Sequence, residues 1–324
     1  MVKLKLNKEL LSRLNLKTLQ NASIQCSSNS IFVRLMPLPN TIIAGAPKSG
    51  SSSLYWWLSS HPEVCASKTK ETHFFDDSIN SRFNSSANVM NHGLERYLPY
   101  FDHCAINAKV IMEATPIYIY QKNALKHLSG FEQKPKIVFI LREPSVRAHS
   151  QFRFNKYRLG NIPLDKTYVD YLKETSSTES DPLQRGEYIT YIDQWIEAFG
   201  EDGIYVLQLE KVFKNRVEEL KNLAEFLGIE PSFYDEFDFV KRNETRKMRS
   251  TKLHRLGLQL QPLVPQWLQE KILIPLYLKL NSTAMPPVSE ADKKMILEYK
   301  SRFAESNKIL AERFPDNIDL ALWE

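Results

Sequence analysis

One lysine, two glycines and four serines fall within nine consecutive residues, Gly45-Ala46-Pro47-Lys48-Ser49-Gly50-Ser51-Ser52-Ser53. The short apolar run before them, from Thr41, predicts a buried strand stopped by a glycine turn. Leu54, Trp57 and Leu58 after them are spaced as on a helix, Ser51–Ser60, with the serines as its N-cap. A strand–turn–helix of this kind points backbone N–H groups and the positive helix end at an anion, while lysine and hydroxyls add charge-assisted bonds. The segment therefore reads as a phosphate cradle made by Lys48, Ser49, Gly50, Ser51, Ser52 and Ser53. A triphosphate loop carries its lysine directly after the second glycine. Here Ser51 holds that place and the lysine stands earlier, at Lys48, which argues against triphosphate chemistry.

Two more segments carry chemistry. In Leu141-Arg142-Glu143-Pro144-Ser145-Val146-Arg147-Ala148-His149-Ser150, Arg142 leaves the tip of an apolar strand and Ser150 lies about two helical turns further on. The pair can converge on one phosphate, which the planar guanidinium binds bidentately. Arg147 is expected to support the turn through an ion pair. In Lys70-Glu71-Thr72-His73-Phe74-Phe75-Asp76, a carboxylate or imidazole can take a proton from an alcohol, and the phenylalanines would dry the site and raise a carboxyl pKa. Glu71 as base or as partner of a neighbouring lysine, and His73 as base, orienting group or structural hydrogen-bonder, stay open on these residues alone.

The string Ala46-Pro47-Lys48-Ser49-Gly50-Ser51-Ser52 resembles the 5′-phosphosulfate loop of the PAPS-dependent sulfotransferases, where PAPS is 3′-phosphoadenosine 5′-phosphosulfate. Arg142 to Ser150 resembles the same family's 3′-phosphate motif, R-x-P-x-x-R-x-x-S. Lys70 to Asp76 is similar to the E-x-H-F-F-D segment of heparan-sulfate 3-O-sulfotransferases and the K-E-x-H-F-F segment of bacterial members. Asn243–Lys252 looks like the family's basic 3′ loop, and the likeness runs from about residue 40 to 324. It implies sulfuryl transfer from PAPS to a hydroxyl or amine of a carbohydrate, lipid or small molecule, with release of 3′,5′-ADP. Lys48 would reach the bridging oxygen, held by Ser53 until the acceptor arrives; Glu71 would be the general base, with His73 assisting. Arg142, Ser150, Arg249 and Ser250 would bind the 3′-phosphate. Steroid- and phenol-type members use a histidine base, which keeps His73 and His103 open. Ala114 stands where the heparan-sulfate group has a lysine, so a glycosaminoglycan acceptor does not follow. Glu113, one residue earlier, either meets the acceptor or shapes the strand end. No metal is expected, because no ligand cluster accompanies the loop. A P-loop kinase or NTPase, and a non-catalytic nucleotide-binding protein on the same scaffold, are the alternative readings.

The elements that must position these residues follow from the pattern. Strands are expected at Thr41–Gly45, Ala108–Glu113, Lys136–Arg142 and Gly203–Leu209, alternating with helices. That alternation implies an α/β fold with a doubly wound, mostly parallel sheet, here a P-loop-like sulfotransferase fold over residues 39–324, with ligands at the strands' carboxyl ends. Residues 1–38 read as an N-terminal extension whose basic and leucine-rich start is a solvated or lightly docked helix. Stretches 80–91 and 163–182 look irregular and would border the substrate mouth or simply be mobile. Across 324 residues the net charge of +5 is too mild to argue for nucleic acid. No run reaches the length of a membrane span, no signal peptide is visible, and Cys26, Cys65 and Cys104 read as idle thiols, so a cytoplasmic, reducing compartment is expected. The Asn-X-Ser/Thr triplets at Asn21, Asn84, Asn243 and Asn281 read as chance matches.

Overall fold

A computed structural model describes residues 4–6, 22–27, 30–35, 37–105, 107–239, 247–248, 250 and 280–324. Its contacts gather into two compact units. One comprises Met1–Arg142, Ile189–Val240 and Leu310–Leu322; the other Glu143–Tyr188, Lys241–Ile309 and Trp323–Glu324.

The first unit begins with three strands, β1 (Leu4–Leu6), β2 (Ala22–Ser27) and β3 (Ser30–Leu35), paired antiparallel in the order β1-β3-β2. A strand at Leu4–Leu6 corrects the helix expected there. Leucines alternating with lysines in Lys3-Leu4-Lys5-Leu6 have a period of two, the period of a strand.

The site is carried by a second sheet of five parallel strands: β4 (Thr41–Gly45), β5 (Val64–Ala66), β6 (Val110–Ala114), β7 (Lys136–Leu141) and β8 (Ile204–Gln208). Their order is β5-β6-β4-β7-β8. From β4 the chain winds first to β5 and β6 on one side, then to β7 and β8 on the other, so β4 lies at the topological switch point. Of the four expected strands all form; the short β5 was not visible because three residues give no periodicity. Helix α1 (Ser51–Ser59) follows β4 and buries Leu54, Tyr55, Trp57 and Leu58. These pack with Ile43, Met112, Ile140, Leu207 and Leu223 in one core cluster. Burying such side chains stabilises by about 1.5–3 kcal/mol each, which anchors both ends of the turn between β4 and α1. At the start of helix α2 (Lys122–Ser129), Lys122 N (2.9 Å) and Asn123 N (2.8 Å) donate to the Asp77 carboxylate.

One correction concerns the cysteines. Cys65 on β5 and Cys104 form a disulfide, so two of the three are paired rather than idle. Their separation of 39 residues hid the pairing, because proximity here is set by the fold rather than by spacing. The cysteine count then no longer argues for a reducing compartment. Among the described residues, no helix is long and apolar enough to cross a membrane.

The second unit holds α3 (Pro144–Arg153) and α4 (Tyr168–Thr175). Ala148, Phe152, Tyr168, Leu172 and Phe303 share its core. The stretch 163–182, expected to be irregular, contains α4, which Thr167 and Asp170 start with a reciprocal capping box. Arg147, 1% exposed, donates to the Pro182 carbonyl, a contact with a backbone oxygen where an ion pair was expected.

Candidate active site

The turn leaving β4 begins at Gly45, where a Cβ would lie 2.8 Å from Ile119 Cβ. It ends at Gly50 with φ 92°, where a Cβ would meet Leu209 Cδ1 at 2.5 Å. Glycine is needed at Gly50 on both counts, conformation and space. Gly50, and not a serine, is the N-cap of α1, and no side chain caps that end. This corrects the N-cap expected from Ser51–Ser53: the serines lie within the first turn, so their hydroxyls are not spent on capping. Ser49 Oγ is fully buried without a hydrogen-bond partner. A buried hydroxyl of this kind costs stability unless something accepts from it or donates to it, and an anion oxygen in the turn would do so. The residues present therefore fit a phosphate group.

Lys48 has φ 71°, a left-handed conformation that costs a non-glycine residue about 1–2 kcal/mol. Its ammonium is lowered to about 8, first by burial and then by the charges of Arg142, Arg82 and Lys70, with Glu71 opposing. A lysine in this state gains from any anion brought beside it.

Glu71 and His73 arrive from the neighbouring strand end. After β5 the chain runs along β6, with Ser67 N on the Met112 carbonyl (2.8 Å) and Glu71 N on the Ala114 carbonyl (2.9 Å). Because β6 lies beside β4, this hangs Glu71 next to the Lys48 turn. Glu71 (φ 62°) and His73 (φ 53°) share the left-handed conformation of Lys48. Between them Thr72 is pinned: its hydroxyl donates to Glu113 Oε1 at 2.5 Å. Glu113 is fully buried and also accepts from Thr115 (2.6 Å), Tyr118 (3.0 Å) and Tyr97. Burial pushes its carboxyl up against these hydroxyl bonds. These four hydroxyl bonds tie Glu113 into the end of β6.

Glu71 itself is held between two cations. Lys70 Nζ donates to Oε1 at 2.5 Å and Arg82 Nη1 donates to Oε2 at 2.8 Å. Burial pushes the carboxyl up, but His73, Lys70 and Arg82 outweigh it and hold Glu71 well below the usual carboxylate range. This reverses the expectation that Phe74 and Phe75 would raise it. Both rings are fully buried and pack on Tyr97, with centroids 4.8 Å away, rather than against Glu71. The carboxyl that burial does raise in this motif is Asp76, despite its bond to His73. His73 Nδ1 lies 2.8 Å from Asp76 Oδ2, and Nε2 lies 3.7 Å from Glu71 Oε2 and 3.3 Å from Arg82 Nη1. Burial lowers the imidazole, yet Asp76 and Glu71 together leave it above its ordinary value. His103 lies apart, with Nε2 3.6 Å from Cys65 Sγ and 3.8 Å from Cys104 Sγ.

Arg142, at the end of β7, is half-buried and its charge reaches Lys48. Ser150 is half-buried on α3, whose start Glu143 caps through Ser145 N (3.0 Å) and Val146 N (2.8 Å). Ser250 exchanges hydrogen bonds with Asn281, its N–H at 2.8 Å and its carbonyl at 3.0 Å. Arg249 lies outside the described residues. Sequence reasoning missed Arg82, whose only mark was a lone arginine in the polar 80–91 stretch.

The α/β order, the glycine turn at the switch point and the Glu71–His73 cluster beside it are the features that a comparison with known proteins must account for, and that comparison gives the family. The sulfotransferase domain family matches residues 38–261. The chain belongs to the sulfotransferase family, the enzyme class its motifs imply. It is 24% identical over 209 residues to human heparan sulfate glucosamine 3-O-sulfotransferase 3B1, covering 64% of this chain and 50% of that protein. It is 35% identical over 124 residues to the membrane-associated sulfotransferase kil1 of Dictyostelium discoideum, covering 38% of this chain and 24% of that protein. The chain thus spans about half the length, or less, of the curated relatives it matches. A sulfotransferase structure from Alicyclobacillus acidocaldarius shares the fold, with a TM-score of 0.53 and 21% identity over 69% of this chain and 92% of that one.

Proposed function

We propose that this chain transfers the sulfuryl group of PAPS to a hydroxyl or amine of an acceptor, with carbohydrate the favoured class, and releases 3′,5′-ADP. The observation that carries the reading is geometric: the turn after β4 buries the unpartnered Ser49 hydroxyl, and Glu71 N on the Ala114 carbonyl (2.9 Å) sets Glu71 at the end of the adjacent strand β6. A loop that only bound nucleotide would need no carboxylate and imidazole beside its lysine. The carbohydrate class is favoured by the relatives that act on heparan sulfate.

In this reading the backbone of 48–51 and the buried Ser49 hydroxyl bind the 5′-phosphosulfate. Lys48 places its charge on the oxygen that bridges sulfur and phosphorus, where negative charge develops as that S–O bond breaks. Glu71 accepts the proton of the acceptor as its oxygen or nitrogen forms the new bond to sulfur. Asp76 fixes Nδ1 of His73, which turns Nε2 toward Glu71 and orients it. Arg142 and Ser150, with Arg249 and Ser250, are assigned to the 3′-phosphate by their motifs.

The test is an acceptor screen with radiolabelled PAPS over polysaccharides, glycolipids, phenols and small alcohols, run beside Lys48→Ala. Turnover of any acceptor that vanishes in Lys48→Ala, with 3′,5′-ADP binding in EDTA, supports the reading. Binding of ATP with Mg²⁺ in place of 3′,5′-ADP would sink it.

A further inference from the structure

Arg82 has no place in the motifs, yet it is in contact with both groups of the acid–base pair. Its Nη1 reaches Glu71 Oε2 at 2.8 Å and His73 Nε2 at 3.3 Å. The reach is built. Asn80 Oδ1 accepts from Arg82 N at 3.1 Å, and Phe83 N closes the same turn on the Asn80 carbonyl at 2.9 Å. The side chain remains 43% exposed, against 15% for Lys70 on the other carboxylate oxygen.

Two cations on one carboxylate make a poor base, because both stabilise the charged form that a proton would have to neutralise. The cluster also holds more positive charge than negative. Lys48, Lys70, Arg82 and Arg142 stand against the carboxylates of Glu71, Asp76 and Asp77. A phosphosulfate at Lys48 offsets part of this excess, and Lys70 stays covered on Oε1. Arg82 is the cation able to leave at little cost, since a half-exposed ion pair holds its partner by a factor of about five or less.

Resting on the base assignment of Glu71, we propose that Arg82 reads an anionic group of the acceptor, a carboxylate or sulfate near the reacting hydroxyl, and that its move onto that anion releases Glu71 to act as base. The acceptor is thereby a negatively charged saccharide, and its own charge switches on the group that deprotonates it. A neutral acceptor leaves Arg82 on Glu71 and the base weaker by a factor of about five or less.

The test compares a hexasaccharide of alternating N-acetylglucosamine and glucuronate, its N-sulfated form, and the same hexasaccharide with carboxyls reduced to hydroxymethyl groups. Transfer from radiolabelled PAPS and calorimetric binding in the presence of 3′,5′-ADP are measured for the unaltered chain, Arg82→Gln and Glu71→Gln. The expected result is preference for a charged hexasaccharide over the reduced one, with the acceptor KM rising about tenfold in Arg82→Gln and the preference collapsing. Which charged form is preferred tells carboxylate from sulfate. Equal use of charged and reduced hexasaccharides, a preference that survives in Arg82→Gln, or no binding of either charged form overturns the proposal. Failure of the base assignment reads out separately, as normal turnover in Glu71→Gln, while the binding preference still reports on Arg82. Binding of 3′,5′-ADP by Arg82→Gln checks its fold.

Discussion

The Lys48 ammonium, lowered to about 8, makes anion binding a proton-linked event. Burial and the charges of Arg142, Arg82 and Lys70 disfavour its proton in the donor-free chain. A 5′-phosphate in the turn reverses this, because an opposite charge in contact favours the charged lysine. If the bound lysine returns to its ordinary 10.5, each molecule of 3′,5′-ADP brings in the proton that was missing before binding. From an ammonium at about 8, that uptake is about 0.1, 0.5 and 0.9 proton at pH 7, 8 and 9. The sign follows: because the complex holds more protons than the free chain between 8 and 10.5, affinity falls as pH rises through that window. The apparent Kd for 3′,5′-ADP should steepen toward tenfold per pH unit above about 8. The nucleotide's phosphates add little there, since their second ionisation lies near ~6.

The assay is titration calorimetry in buffers of different ionisation enthalpy, whose slope against that enthalpy counts protons directly. His73, which unlike Lys48 lies above its ordinary value, is another group of the cluster that could exchange one. Lys48→Ala removes the lysine and leaves the imidazole, so the uptake at pH 9 should vanish in that variant. Glu71→Gln gives an independent check: without the carboxylate that holds the ammonium up, the window should move to lower pH. An uptake near zero at pH 8, or one unchanged in Lys48→Ala, would refute the placing of Lys48 on the 5′-phosphate.

Four other outcomes are expected. Glu71→Gln should lose roughly 100- to 10,000-fold in kcat while still binding 3′,5′-ADP, measured by single-turnover transfer and calorimetry; full activity would pass the base to His73. Gly50→Ala, which places a methyl 2.5 Å from Leu209 Cδ1 at φ 92°, should cost about 1–2 kcal/mol in urea unfolding and weaken 3′,5′-ADP binding. Glu113→Ala strips the acceptor from four hydroxyls and should cost about 3 kcal/mol or more, with kcat falling further than in a surface control because Thr72 is released. Reducing Cys65–Cys104, which closes a separation of 39 residues, should lower stability by up to ~4 kcal/mol, read as a shift of the urea midpoint with reductant.

The parts of the site that were legible in the sequence are those made by contiguous residues. The β4 turn announces itself because a strand, two glycines and a helix are adjacent, and backbone geometry there depends on little else. Even so, the capping role given to Ser51–Ser53 was wrong, since whether a serine caps or lies one residue inside depends on the conformation of Gly50. The sheet order was legible as a class from strand–helix alternation, while β5 was too short to show. What composition and spacing could not carry were the long-range partners. Cys65 meets Cys104, Thr72 meets Glu113 across 41 residues, and Asp77 caps α2 across 45.

Those partners change the chemistry assigned to the motif. Read alone, Glu71 followed by two phenylalanines suggests a desolvated carboxyl with its pKa raised, ready to take a proton. In the fold the phenylalanines turn into the core, and the carboxylate faces Lys70, Arg82 and His73 instead. The same residue is then a strongly ionised anion whose basicity depends on where its cations go. That dependence ties the two halves of the reaction together. In the proposed reaction the donor meets Lys48, whose ammonium Glu71 holds up, and the acceptor meets Arg82, which holds Glu71 down. On the proposal above, Glu71 is the better base once both substrates have redistributed that charge.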